Sequence, residues 1–383
     1  MNLHLFNAVG GAGQALSLRI ASGRIADAPA RAGDLGLDLG GARLLPGLIN
    51  AHDHLQLNAA LPRLGFREVY RNASEWIDDI TPRLATDARL LAHRAVPREQ
   101  RFFVGGLKNL LSGATTVAHH DPRVAVLDHE DFPVSVPELG GWSHSLALDG
   151  EEAVRASCRA VGHGRRWVVH AAEGVDAAAT LEFDRLDALG CIAPHTLLVH
   201  GLGLSGSQQR RLVKAGAAVI WCPGSNLHLF GRTLDPEWLF AQGRLALGSD
   251  SRISGGRDLL HELALVRDLT GWSDERLETW VTQDAARLLG LTDRGRLDAG
   301  LRADLIALPP DLPLASATRA DLRLVVVGGR PLYADADLGE ALGLVPVRVD
   351  GRPKALAHRL VDALTATTLR EPGLDMLREE ALA

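Results

Sequence analysis

Short apolar runs that end in polar residues alternate with amphipathic stretches through most of the chain. Between residues 47 and 291 these runs are LLPGLINAHDH, GATTVAHH, RWVVHAAE, TLLVHG, AAVIWCPGSN and RLALGSD. The stretches between them, such as EQRFFVGGLKNLLSG and DLLHELALVRDL, carry apolar residues at three-to-four spacing, which predicts helices. This repeated order of strand and helix favours parallel strands, so we predict an α/β barrel over residues 47–291.

The two ends of the chain show a different pattern, in which short alternating segments are broken by glycine turns. Residues 1–46 contain ALSLRI, and residues 292–350 contain ADLIAL and LRLVVVGGRPLYAD. Such segments are typical of β-strands joined by tight turns. We predict that residues 1–46 and 292–350 form one small β domain, and that residues 351–383 form a C-terminal helical tail.

Composition narrows the classes of partner. The formal net charge of -6 is modest for 383 residues and no Lys/Arg block occurs, so a nucleic-acid partner has no electrostatic support. No apolar run approaches the roughly 18 residues that a membrane span needs, and the first residues do not read as a secretory signal. We therefore expect a cytoplasmic protein with a small-molecule substrate. The three cysteines form no CxxC pair, which leaves histidines and carboxylates as metal ligands.

Polar residues recur at the ends of the apolar runs. His52 and His54 close the first run, and residues two apart in a strand point to the same side, so both imidazoles can face one metal ion. His170, His200 and Asp250 end three further runs. Each residue alone is more often a satisfied core or surface residue. Their recurrence at four strand ends favours a shared site, because these ends converge on one face of a parallel barrel.

The segments GLINAHDHL, GATTV, HAAE, LLVHG, CPGSN and LGSD, in this order, resemble the amidohydrolase superfamily. The likeness is to its deaminase-like branch, which includes cytosine, guanine and adenosyl-nucleoside deaminases and triazine hydrolases. It implies a distorted TIM-type (β/α)8 barrel with a small composite β-sandwich domain built from both chain ends. It also implies a homodimer and one divalent metal ion per chain, Zn²⁺ in preference to Fe²⁺, bound by His52, His54, His170 and Asp250.

The same resemblance implies roles for three residues. Glu173 would carry a proton to a ring nitrogen or leaving amine, while His200 and Asp250 would orient and deprotonate the metal-bound water. General chemistry agrees, because a divalent cation lowers the pKa of bound water to about 7 and a nearby carboxyl group can carry protons. Members with two metal ions use a carboxylated lysine. Lys108 lies in the helical segment GGLKNLLSG and is interpreted as a solvated residue, so we predict one metal ion.

The sequence suggests further residues for substrate contact at or after the strand ends. Only one of His119 and His120 can point inward by alternation, and we favour His120. Trp142 is more often simply packed, and an exposed arginine such as Arg252 commonly has no specific partner. The candidates for substrate binding are Gln56, His120, Trp142, His144, Asn226 and Arg252. The span from His120 to His170 is short for two β/α units, so we expect one barrel unit to be reduced or missing.

We predict a metal-dependent hydrolase that deaminates an N-heterocyclic small molecule with metal-activated water. One alternative is hydrolysis of a cyclic amide or amidine, as in imidazolonepropionase. Another is a metal-binding protein without turnover. Release of ammonia separates the first two functions, since simple ring opening yields none.

Overall fold

The computed structural model describes residues 2–11, 13–58 and 63–377. Seven parallel strands surround the centre of the molecule and place their carboxyl ends on one face. They are β6 Leu48–Asp53, β7 Ala114–His119, β8 Gly140–Ser143, β9 Arg166–Ala171, β10 Thr196–His200, β11 Ala218–Trp221 and β12 Leu245–Leu247. Five of them form one sheet in the order β12-β11-β10-β9-β8, and β6 pairs with β7. This is the distorted TIM-type barrel that the sequence predicts.

Backbone hydrogen bonds connect the two groups of strands. On one side, the amides of Ser249 and Asp250, just after β12, both donate to the carbonyl of His52 in β6, at 3.1 Å each. On the other side, Ser135 forms a parallel bridge with Thr116 of β7. The segment around Ser135 thus takes the place of a barrel strand. The barrel is therefore irregular between β7 and β8, whereas backbone hydrogen bonds join the end of β12 to β6.

The predicted shortening of the barrel lies between β7 and β8. Residues 120–139 are all described, and their only helical element is the 3₁₀ turn Ala125–Asp128. The bridge at Ser135 and strand β8 therefore follow each other with no α-helix between them. One β/α unit is reduced to a single bridging residue, as the short span in the sequence suggests.

Helices surround the barrel or precede its strands. Around the barrel they are α1 Ala73–Arg83, α2 Ala88–Ala95, α3 Arg98–Leu111, α4 Leu146–Asp149, α5 Glu151–Arg159, α6 Ala177–Ala188, α7 Gly206–Lys214, α8 Pro223–Phe230, α9 Glu237–Ala241, α10 Leu259–Thr270, α11 Asp274–Thr279 and α12 Ala285–Leu289. A π-helical segment, Trp280–Asp284, joins α11 to α12. Two further helices, α13 Ala336–Ala341 and α14 His358–Thr365, lie towards the C-terminus. No helix in the described ranges is long and apolar enough to cross a membrane.

Helix α3 packs unusually close to the turn that follows β6, the strand that carries His52. A Cβ atom on Gly105 would lie 2.0 Å from the carbonyl oxygen of Leu55, a distance that no side chain can tolerate. Glycine in a helix interior costs roughly 1 kcal/mol relative to alanine. Here it permits the close approach that places Lys108, one turn further along α3, under the ends of the metal-ligand strands.

An eleven-strand sheet takes its strands from both ends of the chain. The N-terminal strands are β1 Leu3–Val9, β2 Ala15–Ala21, β3 Arg24–Ala26, β4 Leu35–Asp38 and β5 Arg43–Pro46. The C-terminal strands are β13 Leu305–Leu308, β14 Leu324–Val327, β15 Arg330–Asp335, β16 Val345–Val349, β17 Arg352–Leu356 and β18 Leu374–Met376. Strand β13 pairs antiparallel with β5, which joins the two ends into one sheet. The domain boundaries that we infer from the sequence stay a prediction.

The segment after residue 350 is less helical than the sequence suggests. Strand β17 pairs with β15 and β16, strand β18 pairs with β16, and only α14 is helical in the described part of this segment. Residues 378–383 lie outside the described residues. The helical prediction fails because neighbouring strands of the sheet supply hydrogen-bond partners, and such tertiary pairing overrides local propensity.

Candidate metal and active site

Four histidines and one aspartate meet at the carboxyl ends of the barrel strands. The ligand atoms of His52, His54, His120 and His170 all lie within 4.8 Å of one another. Oδ1 of Asp250 lies 3.7 Å from Nε2 of His52 and 3.8 Å from Nε2 of His54. The four residues that the resemblance assigns to the metal are therefore neighbours in space, although His52 and His54 lie at the end of β6, His170 lies in β9 and Asp250 follows β12.

The histidines have the unsatisfied nitrogens expected of metal ligands. His52 is fully buried, and neither of its ring nitrogens has a hydrogen-bond partner among the described residues. Nε2 of His54 lies 3.2 Å from Nε2 of His170. A buried polar atom without a partner costs about 1–3 kcal/mol, and a bound cation would remove that cost. The donor set of three imidazoles and a carboxylate fits zinc or iron(II).

Neighbouring oxygens orient two of these imidazoles. Nδ1 of His170 donates to the carbonyl of His144 at 2.8 Å, and Nδ1 of His54 lies 3.0 Å from Oδ2 of Asp121. Both contacts leave the opposite nitrogen, Nε2, facing the cluster. Partners of this kind fix the tautomer of a ligating histidine and raise its basicity. Asp121 immediately follows His120 and is not among the residues predicted from the sequence.

His120 belongs to the cluster itself. Its Nε2 donates to the carbonyl of Ser143 at 2.8 Å, while Nδ1 is buried without a partner in the described part of the chain. Burial and the neighbouring histidines His170, His52 and His54 hold the pKa of His120 well below its usual value. A neutral ring with a free lone pair can ligate a metal, so the structure adds His120 as a fifth candidate ligand. His119 points the other way and packs against Phe102.

His200 reaches the site through a break in the regular strand. Leu197 and Val199 pack among the side chains inside the barrel, so alternation alone would direct His200 outward. His200 instead has φ +72°, and its ring lies in the cluster with Nε2 3.4 Å from Oε1 of Glu173. Asp250 also has a positive φ of 53°. Such backbone strain in residues other than glycine is concentrated at functional sites.

Charges and burial tune the carboxyl groups of the site. Burial raises the pKa of Glu173, and the nearby charge of Asp250 raises it further against the opposing effect of His200. Burial opposes ionisation of Asp250 as well, but the imidazole of His52, 3.7 Å away, and the charges of His54 and His52 lower its pKa well below the usual value. One carboxyl group therefore retains its proton more readily than the other, which is the division of roles expected of an acid and a base.

Asn226 supports His200 from outside the substrate cavity. Its amide oxygen lies 2.9 Å from Nδ1 of His200. With the proton of His200 on Nδ1, the lone pair of Nε2 faces Glu173 and the metal cluster. The structure thus gives Asn226 a place behind His200, where the sequence suggests contact with substrate.

Lys108 lies in a buried polar network beneath the metal cluster, which corrects its interpretation as a solvated residue. Its ammonium group lies 3.1 Å from Oδ2 of Asp53 and 2.8 Å from Oδ1 of Asn58, and both charged side chains are fully buried. It also lies 3.2 Å from the backbone carbonyl of Asp250. The close approach of α3 at Gly105 brings Lys108 to this position, which the helical pattern does not reveal.

A cavity of about 540 Å³ opens from the metal cluster. His54, His170, His200, Asp250 and Glu173 line one part of it. Apolar side chains from the loop and helices after β6 line much of the rest. They are Leu57, Trp76, Ile77, Ile80, Leu84 and Leu90. This volume suits a small organic molecule with one polar end at the metal cluster and an apolar part beside α1 and α2.

The structure divides the candidates for substrate contact into two groups. Gln56 and His144 line the cavity. Trp142 lies outside its lining and packs against the rings of His120 and His144, with centroids 5.6 Å and 4.8 Å away.

Arg252 corrects a second expectation from the sequence. Its guanidinium group makes two contacts of 2.7 Å with the buried carboxylate of Glu371 and lies outside the cavity lining. A charged group needs a partner when it is buried, and the C-terminal segment supplies it here. The distance in sequence between the two residues hides this pairing.

Comparison with known proteins identifies hydrolases and deaminases that the chain resembles. The amidohydrolase family model matches residues 150–332. The 8-oxoguanine deaminase of Pseudomonas aeruginosa is 31% identical over 240 residues, which cover 55% of this chain and 52% of that protein. The 5-methylthioadenosine/S-adenosylhomocysteine deaminase of Nitratidesulfovibrio vulgaris is 25% identical over 376 residues, which cover 78% of this chain and 81% of that enzyme. The chain thus spans about half of the first relative and most of the second.

Solved structures show the same fold. The atrazine chlorohydrolase TrzN from Arthrobacter aurescens, complexed with zinc, matches with a TM-score of 0.69 and 19% identity, covering 89% of this chain and 98% of that one. An adenosine deaminase from Xanthomonas campestris with bound zinc matches with a TM-score of 0.65 and 19% identity, covering 86% of this chain and 92% of that one. The chain thus resembles the amidohydrolase family over residues 150–332 and shares the barrel fold of these zinc-complexed hydrolases.

Proposed function

We propose that this protein catalyses the metal-dependent hydrolytic deamination of an N-heterocyclic small molecule. The observation that carries the proposal is the pairing of Glu173 with His200, 3.4 Å apart, at the edge of the metal cluster and inside the cavity. Deamination needs a proton for the heterocycle as well as a hydrolytic water. Glu173, with its raised pKa, is the group placed to supply that proton.

In the proposed site, one set of residues binds the metal ion and another set transfers protons. His52, His54, His170 and Asp250 would hold one divalent cation, for which zinc is favoured. When bound, such a cation lowers the pKa of water to about 7 and so provides a nucleophile at neutral pH. His200 and Asp250 would take up the proton that the attacking water loses, and Glu173 would deliver a proton to the ring nitrogen or to the departing amine.

Metal content tests the first half of this proposal. We expect about one zinc or iron ion per chain by elemental analysis of the purified protein, and a large loss of metal in His52→Ala and Asp250→Ala variants. His163→Ala is a matched control, because His163 is exposed and lies outside the cluster. Folded His52→Ala and Asp250→Ala variants with the metal content of the control would contradict the assignment of ligands.

Ammonia release tests the second half. We expect ammonia from at least one compound in a screen of aminopurines, their nucleosides, aminopyrimidines, aminopterins and aminotriazines. Loss of substrate absorbance without ammonia would assign the protein to hydrolysis of cyclic amides or amidines. A metal-loaded protein that is inactive in both assays would favour a metal-binding role without turnover.

The family resemblance also suggests a homodimer, which we retain as part of the proposal. Light scattering on the purified chain measures this directly. A mass near twice 41.0 kDa supports the homodimer, and a mass near 41.0 kDa contradicts it.

A further inference from the structure

Three arginines line the same cavity as the metal cluster. Arg94 lies on α2, and Arg98 and Arg101 lie one turn apart on α3. Arg94 donates to the carbonyl of Leu84 at 3.1 Å and Arg98 donates to the carbonyl of Pro122 at 3.4 Å. Within the described residues, none of the three forms an ion pair, and Nε of Arg101 is buried without a hydrogen-bond partner. Three guanidinium groups with no ion-pair partner in the described ranges therefore lie together in one part of the cavity wall, whereas the carboxyl groups of Glu173 and Asp250 lie at the metal cluster.

The surroundings of these arginines add to the positive potential. Arg98 and Arg101 lie in the first turn of α3, where the helix dipole favours anions and disfavours cations. Pro97 precedes the helix and has no side-chain oxygen to accept from its free amides. Glu99 lies in the same turn, but its side chain is exposed. Burial, together with the charges of Arg98 and Arg94, lowers the pKa of Arg101.

The arginines and the metal cluster lie at a distance that one ligand can span. Lys108, on the same helix, contacts Asp53, which lies between His52 and His54 in the chain. Arg101 is seven residues before Lys108, which is about 10 Å along an α-helix. The cavity wall also includes the apolar side chains of α1 and α2, such as Trp76 and Ile80.

We propose that Arg94, Arg98 and Arg101 form a subsite for an anionic group, a carboxylate or a phosphate, carried by the substrate on an apolar arm. The proposal rests on the proposed function, because the heterocycle at the other end of that arm would occupy the metal site. Guanidinium groups bind both anions through paired, charge-assisted hydrogen bonds. The substrate class is thus an N-heterocycle with an acidic substituent, rather than a free neutral base.

Binding of simple amphiphiles tests the subsite without any turnover. The probes are octanoate and octyl phosphate, with octan-1-ol and octylammonium as neutral and cationic counterparts, titrated calorimetrically into the metal-loaded protein. We expect at least one anion to bind about tenfold or more tightly than the alcohol, since hydrogen bonds to charged groups typically contribute more than that factor. The anion that binds more tightly distinguishes carboxylate from phosphate recognition.

Matched variants separate the arginines from the metal ion as the source of anion binding. Arg98→Gln/Arg101→Gln should weaken binding of the preferred anion by about tenfold or more and leave octan-1-ol unchanged. Arg210→Gln removes an exposed charge on α7 and should change neither. Equal binding of alcohol and anions, or unchanged anion binding in the double variant, would overturn the subsite. If the anion binds only to the metal ion, its affinity should be unchanged in the double variant.

A kinetic comparison then links the subsite to catalysis. For any heterocycle that releases ammonia, its carboxyalkyl derivative should have a lower KM than the matching carboxamide, and Arg101→Gln should raise the KM of the acid towards that of the amide. Equal KM values for acid and amide would contradict the proposal even where deamination proceeds. Absence of ammonia from every compound would instead count against the proposed function, and the calorimetric result would stand by itself.

Discussion

Replacement of Lys108 by methionine tests how the buried network supports the metal site. The carboxylate of Asp53 and the ammonium group of Lys108 are both fully buried and lie 3.1 Å apart. Removal of one partner from such a pair leaves a buried charge without compensation, which typically costs about 3–5 kcal/mol. Asp53 would keep hydrogen bonds from Asn58 at 2.6 Å and Asn109 at 2.8 Å, so we expect a loss near the lower bound, about 3 kcal/mol.

The assay is urea unfolding followed by the fluorescence of the seven tryptophans, with and without a chelator. Lys214→Met, on the exposed face of α7, is the control for charge and should be nearly neutral. The double variant Asp53→Asn/Lys108→Met removes both charges and should recover part of the loss, because neutral replacements of a buried pair are often tolerated. Because Lys108 also contacts the carbonyl of Asp250, the single variant should bind metal more weakly. Wild-type stability in Lys108→Met would refute the reasoning.

Three further outcomes follow from the site. Glu173→Gln should keep the metal content and lower kcat by about 10²–10⁴, measured as ammonia release; a near wild-type rate would remove Glu173 as the proton carrier. His120→Ala should reduce zinc affinity by at least tenfold in a chelator competition if His120 is a ligand, whereas unchanged affinity would restrict the ligands to the other four residues. Burial raises the pKa of Glu182, which lines the cavity, from 4.5 to about 7. The folded state therefore holds a proton that the unfolded state has lost between these values, so Glu182 makes stability fall as pH rises from about 5 to 8. Glu182→Gln should flatten that fall in urea unfolding at pH 5 and pH 8, and an unchanged pH dependence would contradict the raised pKa.

The sequence by itself determined the strand-end residues and the class of chemistry that they predict. Candidate residues stand at the ends of successive apolar runs, and parallel strands bring such positions to one face of the barrel. They are His52, His54, His170, Glu173, His200 and Asp250. The reduced barrel unit was also visible as a short span of sequence. These features are local in the chain or follow from a topology that the order of strands and helices fixes.

Only the tertiary structure decided which side chains face the cavity and which are neutralised elsewhere. Arg252 pairs with Glu371 and Lys108 with Asp53, across distances in sequence that no local pattern records. His200 enters the site because its backbone adopts φ +72°, against the regular alternation of its strand. Close approach, burial and backbone strain depend on contacts between distant segments, so they become definite only when the whole chain has folded.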